Sequence, residues 1–149
     1  MPPISLKGRV LRLLSGREYS RAELERKLKD HAETPGALAQ ALDDLQAKDF
    51  INEARVVESV VHRRAPKLGT QRIRQELQAK GLPPEAVAQA VALLRITEVD
   101  RAREVWRKKF GTPAADASER GKQMRFLAGR GFGGDAIRKA MGGSNGDED

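Results

Sequence analysis

The chain has 149 residues, with 28 Lys or Arg against 21 Asp or Glu, giving a formal net charge of +7; this length holds one ordinary domain or several very small units. The absence of cysteine excludes a disulfide framework, a Cys-based zinc site and a thiol nucleophile. No run approaches the roughly 18 apolar residues of a membrane span, and Met1–Lys7 lacks the apolar core of a secretory signal, so a soluble cytoplasmic protein is expected.

Ala supplies 20 residues, and the aromatics are only Tyr19, Phe50, Trp106, Phe110, Phe126 and Phe132. Such a composition favours closely packed helices over a sheet sandwich. The first predicted helix runs from about Leu6 to Leu14. The second starts at Ser20, where Ser20-Arg-Ala-Glu23 reads as a capping box. The third is predicted from Thr34-Pro35, a cap followed by proline at the first helical position. Asn52 caps a fourth, carrying Val56, Val57, Val60 and Val61, which Pro66 ends. A fifth follows Gly69-Thr70 and stops at Gly81, a left-handed stop. Pro83-Pro84 opens a sixth, to about Arg95. Thr97-Glu-Val-Asp100 starts a seventh, carrying Val105, Trp106 and Phe110. An eighth covers roughly Ser118 to Ala128, with Gly131 as its stop, and a short ninth covers Asp135 to Met141. No strand is predicted.

These helices repeat. From the anchors Leu28, Leu77 and Leu127, ten residues on stand Leu38, Val87 and Ile137. Fourteen on stand Leu42, Val91 and Met141, and four on stand Ala32, Gly81 and Gly131. The expected fold is all-α: an elongated, right- or left-curved stack of three tandem three-helix repeats, residues 1–49, 50–96 and 97–143, followed by a disordered acidic tail, residues 144–149. A unit this small is marginal alone, so neighbours are expected to bury each other's apolar faces. The repeats carry net charges of +1, +4 and +5, and the tail −3. The positive field therefore sits on the second and third repeats and points to a polyanionic partner.

Little supports catalysis. His31 at a helix end and His62 beside Arg63-Arg64 read as surface residues, and no His pair has metal spacing. Asp43 and Asp44 point about 100° apart on a helix and read as a solvated face. Gly129-Arg-Gly-Phe-Gly-Gly134 lacks the preceding strand of a dinucleotide loop and the strand-borne aromatics of an RNA-recognition signature. A helix stop and turn fit its glycines better. Trp106 reads as core rather than as a base-stacking platform. No enzyme activity, cofactor or metal is expected. The candidate partner- or DNA-binding residues are Arg63, Arg64, Lys67, Arg72, Arg74, Arg107, Lys108, Lys109, Lys122, Arg125 and Arg130, each able to neutralise a phosphate or pair with an acidic protein surface. Arg72 and Arg74 are expected to flank the inward-facing Ile73 with their heads in solvent.

Four segments then carry a resemblance. Lys67-Leu-Gly-Thr-Gln-Arg-Ile-Arg-Gln-Glu-Leu-Gln-Ala-Lys-Gly81 resembles the middle-repeat signature of the RecX family, regulators of the bacterial recombinase RecA. Ser20-Arg-Ala-Glu-Leu-Glu-Arg-Lys-Leu28 resembles its first-repeat motif, and Phe50-Ile-Asn-Glu-Ala-Arg-Val56 its entry to the second repeat. Lys122-Gln-Met-Arg-Phe-Leu-Ala-Gly-Arg-Gly-Phe132 resembles its last-repeat signature. Asn52 departs from the family's usual acidic residue, but either caps a helix. The resemblance implies an elongated protein of three-helix repeats lying in the groove of the RecA–single-stranded-DNA filament, suppressing ATP hydrolysis and strand exchange and promoting filament loss; the repeat pattern itself leads us to expect a monomer. The alternative is a DNA-binding transcriptional regulator that uses one unit as a helix-turn-helix on duplex DNA.

Overall fold

A computed structural model describes residues 4–142; the acidic tail lies outside them. Nine α-helices and one 3₁₀ turn make up the regular structure of the described residues: α1 Leu6–Leu14, α2 Arg21–Leu28, the turn Lys29–His31, α3 Ala37–Ala47, α4 Glu53–Arg64, α5 Thr70–Ala79, α6 Pro84–Ile96, α7 Glu98–Lys109, α8 Ala117–Gly129 and α9 Gly134–Gly142. No strand occurs among those residues. They group as three triplets, α1–α3, α4–α6 and α7–α9. None of the helices is long and apolar enough to cross a membrane.

Most boundaries fall where local chemistry puts them. The Ser20 hydroxyl accepts from the Glu23 N–H at 3.1 Å while the Glu23 carboxylate accepts from the Ser20 N–H at 2.9 Å, the complete capping box. Asn52 caps α4 by accepting from the Arg55 N–H at 3.0 Å. The third helix is the exception. Thr34-Pro35 does not begin it; the Ala37 N–H bonds the Thr34 carbonyl at 3.2 Å and Gly36 adopts φ 83°. Proline followed by a left-handed glycine makes a type II turn there, and α3 starts at Ala37.

Each triplet has its own apolar core. Val10, Leu24, Leu28, Leu42, Leu45 and Ile51 form the first. Val56, Val60, Ile73, Leu77, Leu82, Val87, Ala90, Val91 and Leu94 form the second. Ala102, Leu127, Phe132, Ile137 and Ala140 form the third, with Trp106 and Met141 packed against it. Ile51, placed in the second repeat by the sequence, is buried in the first core. In the third repeat the place of Leu24 and Ile73 is taken by Gln123. It is buried, accepts from the Trp106 indole N–H at 2.8 Å and donates to the Thr112 carbonyl at 3.3 Å. The three clusters are separate, which corrects the expectation that neighbouring repeats bury one another's apolar faces. The joints between repeats are made by helix ends instead.

The C-terminal end of α5 meets the start of α2. The Lys80 carbonyl accepts from the Ser20 hydroxyl at 2.5 Å, and the Ala79 carbonyl from Arg26 at 3.1 Å. Fifty residues on, the end of α8 meets the start of α5. The Arg130 carbonyl accepts from the Gly69 N–H at 2.7 Å, the Gly131 carbonyl from the Gln71 N–H at 3.2 Å, and the Gly129 carbonyl from Arg72 at 2.8 Å. A helix leaves its first N–H and last C=O groups without partners and carries partial charges of opposite sign at its two ends. At the α5–α2 joint, where the capping box already serves the N–H groups, side chains of α2 serve the carbonyls; the α8–α5 joint satisfies both at once. The contact is too close for side chains: a Cβ on Gly69 would lie 2.2 Å from the Gly131 carbonyl carbon, and one on Gly131 2.3 Å from Arg72 Cγ. Ala32 stands where the other repeats have Gly81 and Gly131.

Arg101 locks the second joint. From α7 it donates to the carbonyls of Ala65 (3.2 Å), Leu68 (2.6 Å) and Leu94 (3.0 Å) and to the hydroxyls of Thr70 (3.1 Å) and Thr97 (3.0 Å). Burial pulls its pKa below the usual arginine value, and the nearby Glu98 carboxylate opposes that shift. Glu98, itself buried, accepts from the Gly133 N–H at 3.1 Å and so caps α9.

Two outcomes test the joints. Gly69→Ala should destabilise the protein by about 1–3 kcal/mol, because the methyl group meets backbone. Gly129→Ala, at a helical site with nothing within 4 Å, should be neutral or stabilising by up to about 1 kcal/mol. Denaturant midpoints of the two variants in the reverse order would contradict the joint. The second outcome concerns Glu23. Burial raises its pKa, but bonds from Arg17, the Ser20 N–H and Lys80 outweigh this and hold the carboxyl at about 2 rather than 4.5. A pKa lowered on folding contributes stability that is complete above the unfolded value and is lost as pH falls through the folded one. Urea midpoints of the parent and Glu23→Gln should therefore differ at neutral pH and converge between pH 4.5 and about 2. A difference that stays constant over that window contradicts the assignment.

Candidate functional site

The basic residues predicted from the sequence fall into two kinds. Some are used by the fold. Arg64 Nε lies 2.9 Å from Glu76, and Arg63 3.8 Å from the same carboxylate. Arg107 pairs with Glu104, 3.2 Å from its Nε. That bond raises the arginine pKa and lowers the carboxylate's. Arg72 is exposed, as expected, and in addition spans the joint to the Gly129 carbonyl. Arg74 is half-buried, and its Nε is enclosed without a hydrogen-bond partner. The clusters Arg63-Arg64 and Arg107-Lys-Lys109 occupy the last turns of α4 and α7, where positive charge is favoured by the helix ends.

The others are displayed. Lys67, Lys108, Lys122 and Arg125 are exposed and make no side-chain hydrogen bond or ion pair among the described residues. Lys122 and Arg125 are three apart on α8 and share one side of it. Lys109 and Arg130 converge on Phe126, at 5.2 Å and 4.7 Å from the ring centroid, and Phe110 meets the same ring edge-on at 5.5 Å. The Gly69–Arg130 backbone bond brings Lys67 and Arg72 of the second repeat beside this cluster. The second joint therefore gathers cations from two repeats into one region, with Lys122 and Arg125 further back along α8.

Two roles were missed in the sequence. Phe126 serves as a half-buried platform for two cations as well as packing. Arg101 holds the joint. Its signal was a recurrence: Arg55 and Arg101 stand one residue before the buried Val56 and Ala102, 46 residues apart. Arg55 likewise reaches back to carbonyls, those of Asp49 (2.6 Å) and Phe50 (3.3 Å). Among the described residues no group of His, Asp and Glu is arranged to hold a metal ion. His31 and His62 are both exposed. Asp43 and Asp44 pair separately, with Arg21 at 2.7 Å and Lys7 at 2.9 Å.

The chain matches the first, second and third three-helix domains of RecX over residues 7–45, 52–91 and 97–141. The regulatory protein RecX of Leptothrix cholodnii is 54% identical over 140 residues, covering 94% of this chain and 89% of its own. That of Herminiimonas arsenicoxydans is 48% identical, covering 98% and 97%. The crystal structure of RecX from Lactobacillus salivarius superposes with a TM-score of 0.79 at 22% identity, over 92% of each chain, which is a likeness of fold. With three domains matched in order and relatives sharing about half of its residues over nearly the full length, the chain belongs to the RecX family of regulatory proteins.

Proposed function

We propose that this protein is a non-enzymatic negative regulator of RecA. It acts as a cytoplasmic monomer, lies in the groove of the RecA–single-stranded-DNA filament, and suppresses ATP hydrolysis, strand exchange and filament growth. Membership of the RecX family across all three repeats carries this reading. The physical arrangement supports it. A row of repeats joined end to end presents cations on its second and third repeats, and unpaired Lys67, Lys108, Lys122 and Arg125 suit phosphates or acidic protein surface without reading bases. A duplex-reading helix-turn-helix is less well supported. The third helix of the middle repeat, Pro84–Ile96, carries only Glu85, Gln89 and a terminal Arg95 as side chains suited to base edges, spread over both ends of an otherwise apolar helix.

The test is RecA's ATPase on single-stranded DNA with and without the protein. Inhibition is expected, weakening as salt rises because counterion release and screening act together. Combined reversal of Lys67, Lys122 and Arg125 to Glu should weaken filament binding and flatten its salt dependence by about one unit of log–log slope per lost phosphate contact. Helix content should stay unchanged, since these side chains hold nothing in the fold. Unaltered inhibition by this variant would remove the displayed cations from the binding surface.

A further inference from the structure

We propose that the groove between α5 and α6 in the middle repeat is a docking site for a protein segment that carries carboxylates beside a bulky apolar side chain. This rests on the regulatory reading and deepens it by naming where the partner's protein component, rather than its DNA, is held. The groove encloses about 500 Å³, within the range of sites that accept a ligand or an anchoring side chain. Its floor is buried Leu82, Val87 and Val91. Arg74 and Arg95 line it, no acidic or aromatic side chain does, and neither arginine makes a hydrogen bond or ion pair from its side chain among the described residues. Arg74 Nε is enclosed and unpaired. A buried donor without an acceptor is costly and uncommon in a native protein. The groove thus holds two arginine charges with no counter-charge of their own, and a carboxylate seated in it would supply one.

The first repeat shows the same place already filled. Positions 49 residues before Arg74 and Arg95 are Glu25 and Gln46. There Arg21 bridges the two helices, reaching Glu25 at 3.4 Å, Gln46 at 3.0 Å and Asp43 at 2.7 Å. The first repeat thus closes this groove with its own arginine and its own carboxylates. In the second repeat Thr70 replaces Arg21, the cations lie on the other two positions, and no carboxylate is present to meet them. The missing half of the bridge is what a partner supplies. A nucleic acid fits less well, because the floor is aliphatic and gives a base nothing to stack on.

Labelled protein is titrated onto RecA filaments on single-stranded DNA and, separately, onto bare single-stranded DNA. Two variants are compared with the parent: Arg74→Gln with Arg95→Gln, and Ala88→Trp, which fills the groove from an exposed helix position. Both should bind filaments about tenfold more weakly or worse, with parental affinity for bare DNA and parental circular dichroism. Unchanged filament affinity in Ala88→Trp overturns the proposal. A matching loss on bare DNA overturns it too, making the groove a nucleic-acid contact. Failure of the parent itself to bind filaments defeats the regulatory reading, and this one with it.

Discussion

The stack depends on the ends of its middle helices. In an isolated three-helix unit the finish of the second helix exposes carbonyls, and its start exposes N–H groups wherever no side chain caps it, as at Gly69. Here the finish of α8 meets the start of α5, and the finish of α5 meets the start of α2. Each contact satisfies orphan carbonyls, the α8–α5 contact also orphan N–H groups, and each sets opposite helix-end charges against each other. The apolar cores stay within their repeats, so this polar seam fixes the spacing and angle of the three units. The two joints reach the same result by different chemistry. At Ser20 a hydroxyl bridges to the Lys80 carbonyl; at Gly69 the side chain is absent and the backbone itself makes the bond.

The seam also places the charge. The residues that leave the middle helices, Lys80-Gly81 and Arg130-Gly131, carry a cation beside each joint. Lys80 is spent internally: it pairs with Glu23 at 3.1 Å, and both side chains are only 13% exposed. Arg130 instead lies over the Phe126 ring and pairs with no carboxylate among the described residues. The first joint is therefore internally neutralised and the second is left positive, which agrees with net charges of +1 on the first repeat and +4 and +5 on the others. A long surface that grows more basic toward one end suits a partner that is itself long, repetitive and anionic.

Much of this was legible in the residues. Helix starts at Ser20 and Asn52 and stops at Gly81 and Gly131 follow from local hydrogen bonding, which spacing in the chain reveals. The Leu28, Leu77 and Leu127 anchors proved buried because a recurring period reports a recurring core. The turn before α3 was misjudged because Thr-Pro reads equally as a cap or as the first half of a type II turn, and only Gly36 decides between them. The joints were misjudged for a deeper reason. Hydrophobic patterning reports burial of side chains, whereas the bonds between repeats are made by backbone groups that every residue carries. The same blindness hid the state of each arginine. Arg72 and Arg74 are neighbours in an alternating sequence, yet one reaches across a joint and the other is half-buried in a groove, and this depends on Gly129 and α6, far away in the chain.

The most direct measurement is amide hydrogen exchange at Gly69 and Gln71. These residues begin α5, where N–H groups ordinarily lack acceptors and exchange quickly. If the Arg130 and Gly131 carbonyls hold them, their protection should approach that of Ile73 and Leu77 in the interior of the same helix, and should fall when Arg101→Lys loosens the joint. Fast exchange at Gly69 and Gln71 beside a protected helix interior would mean that the repeats are not joined end to end, and the account of the stack would fail.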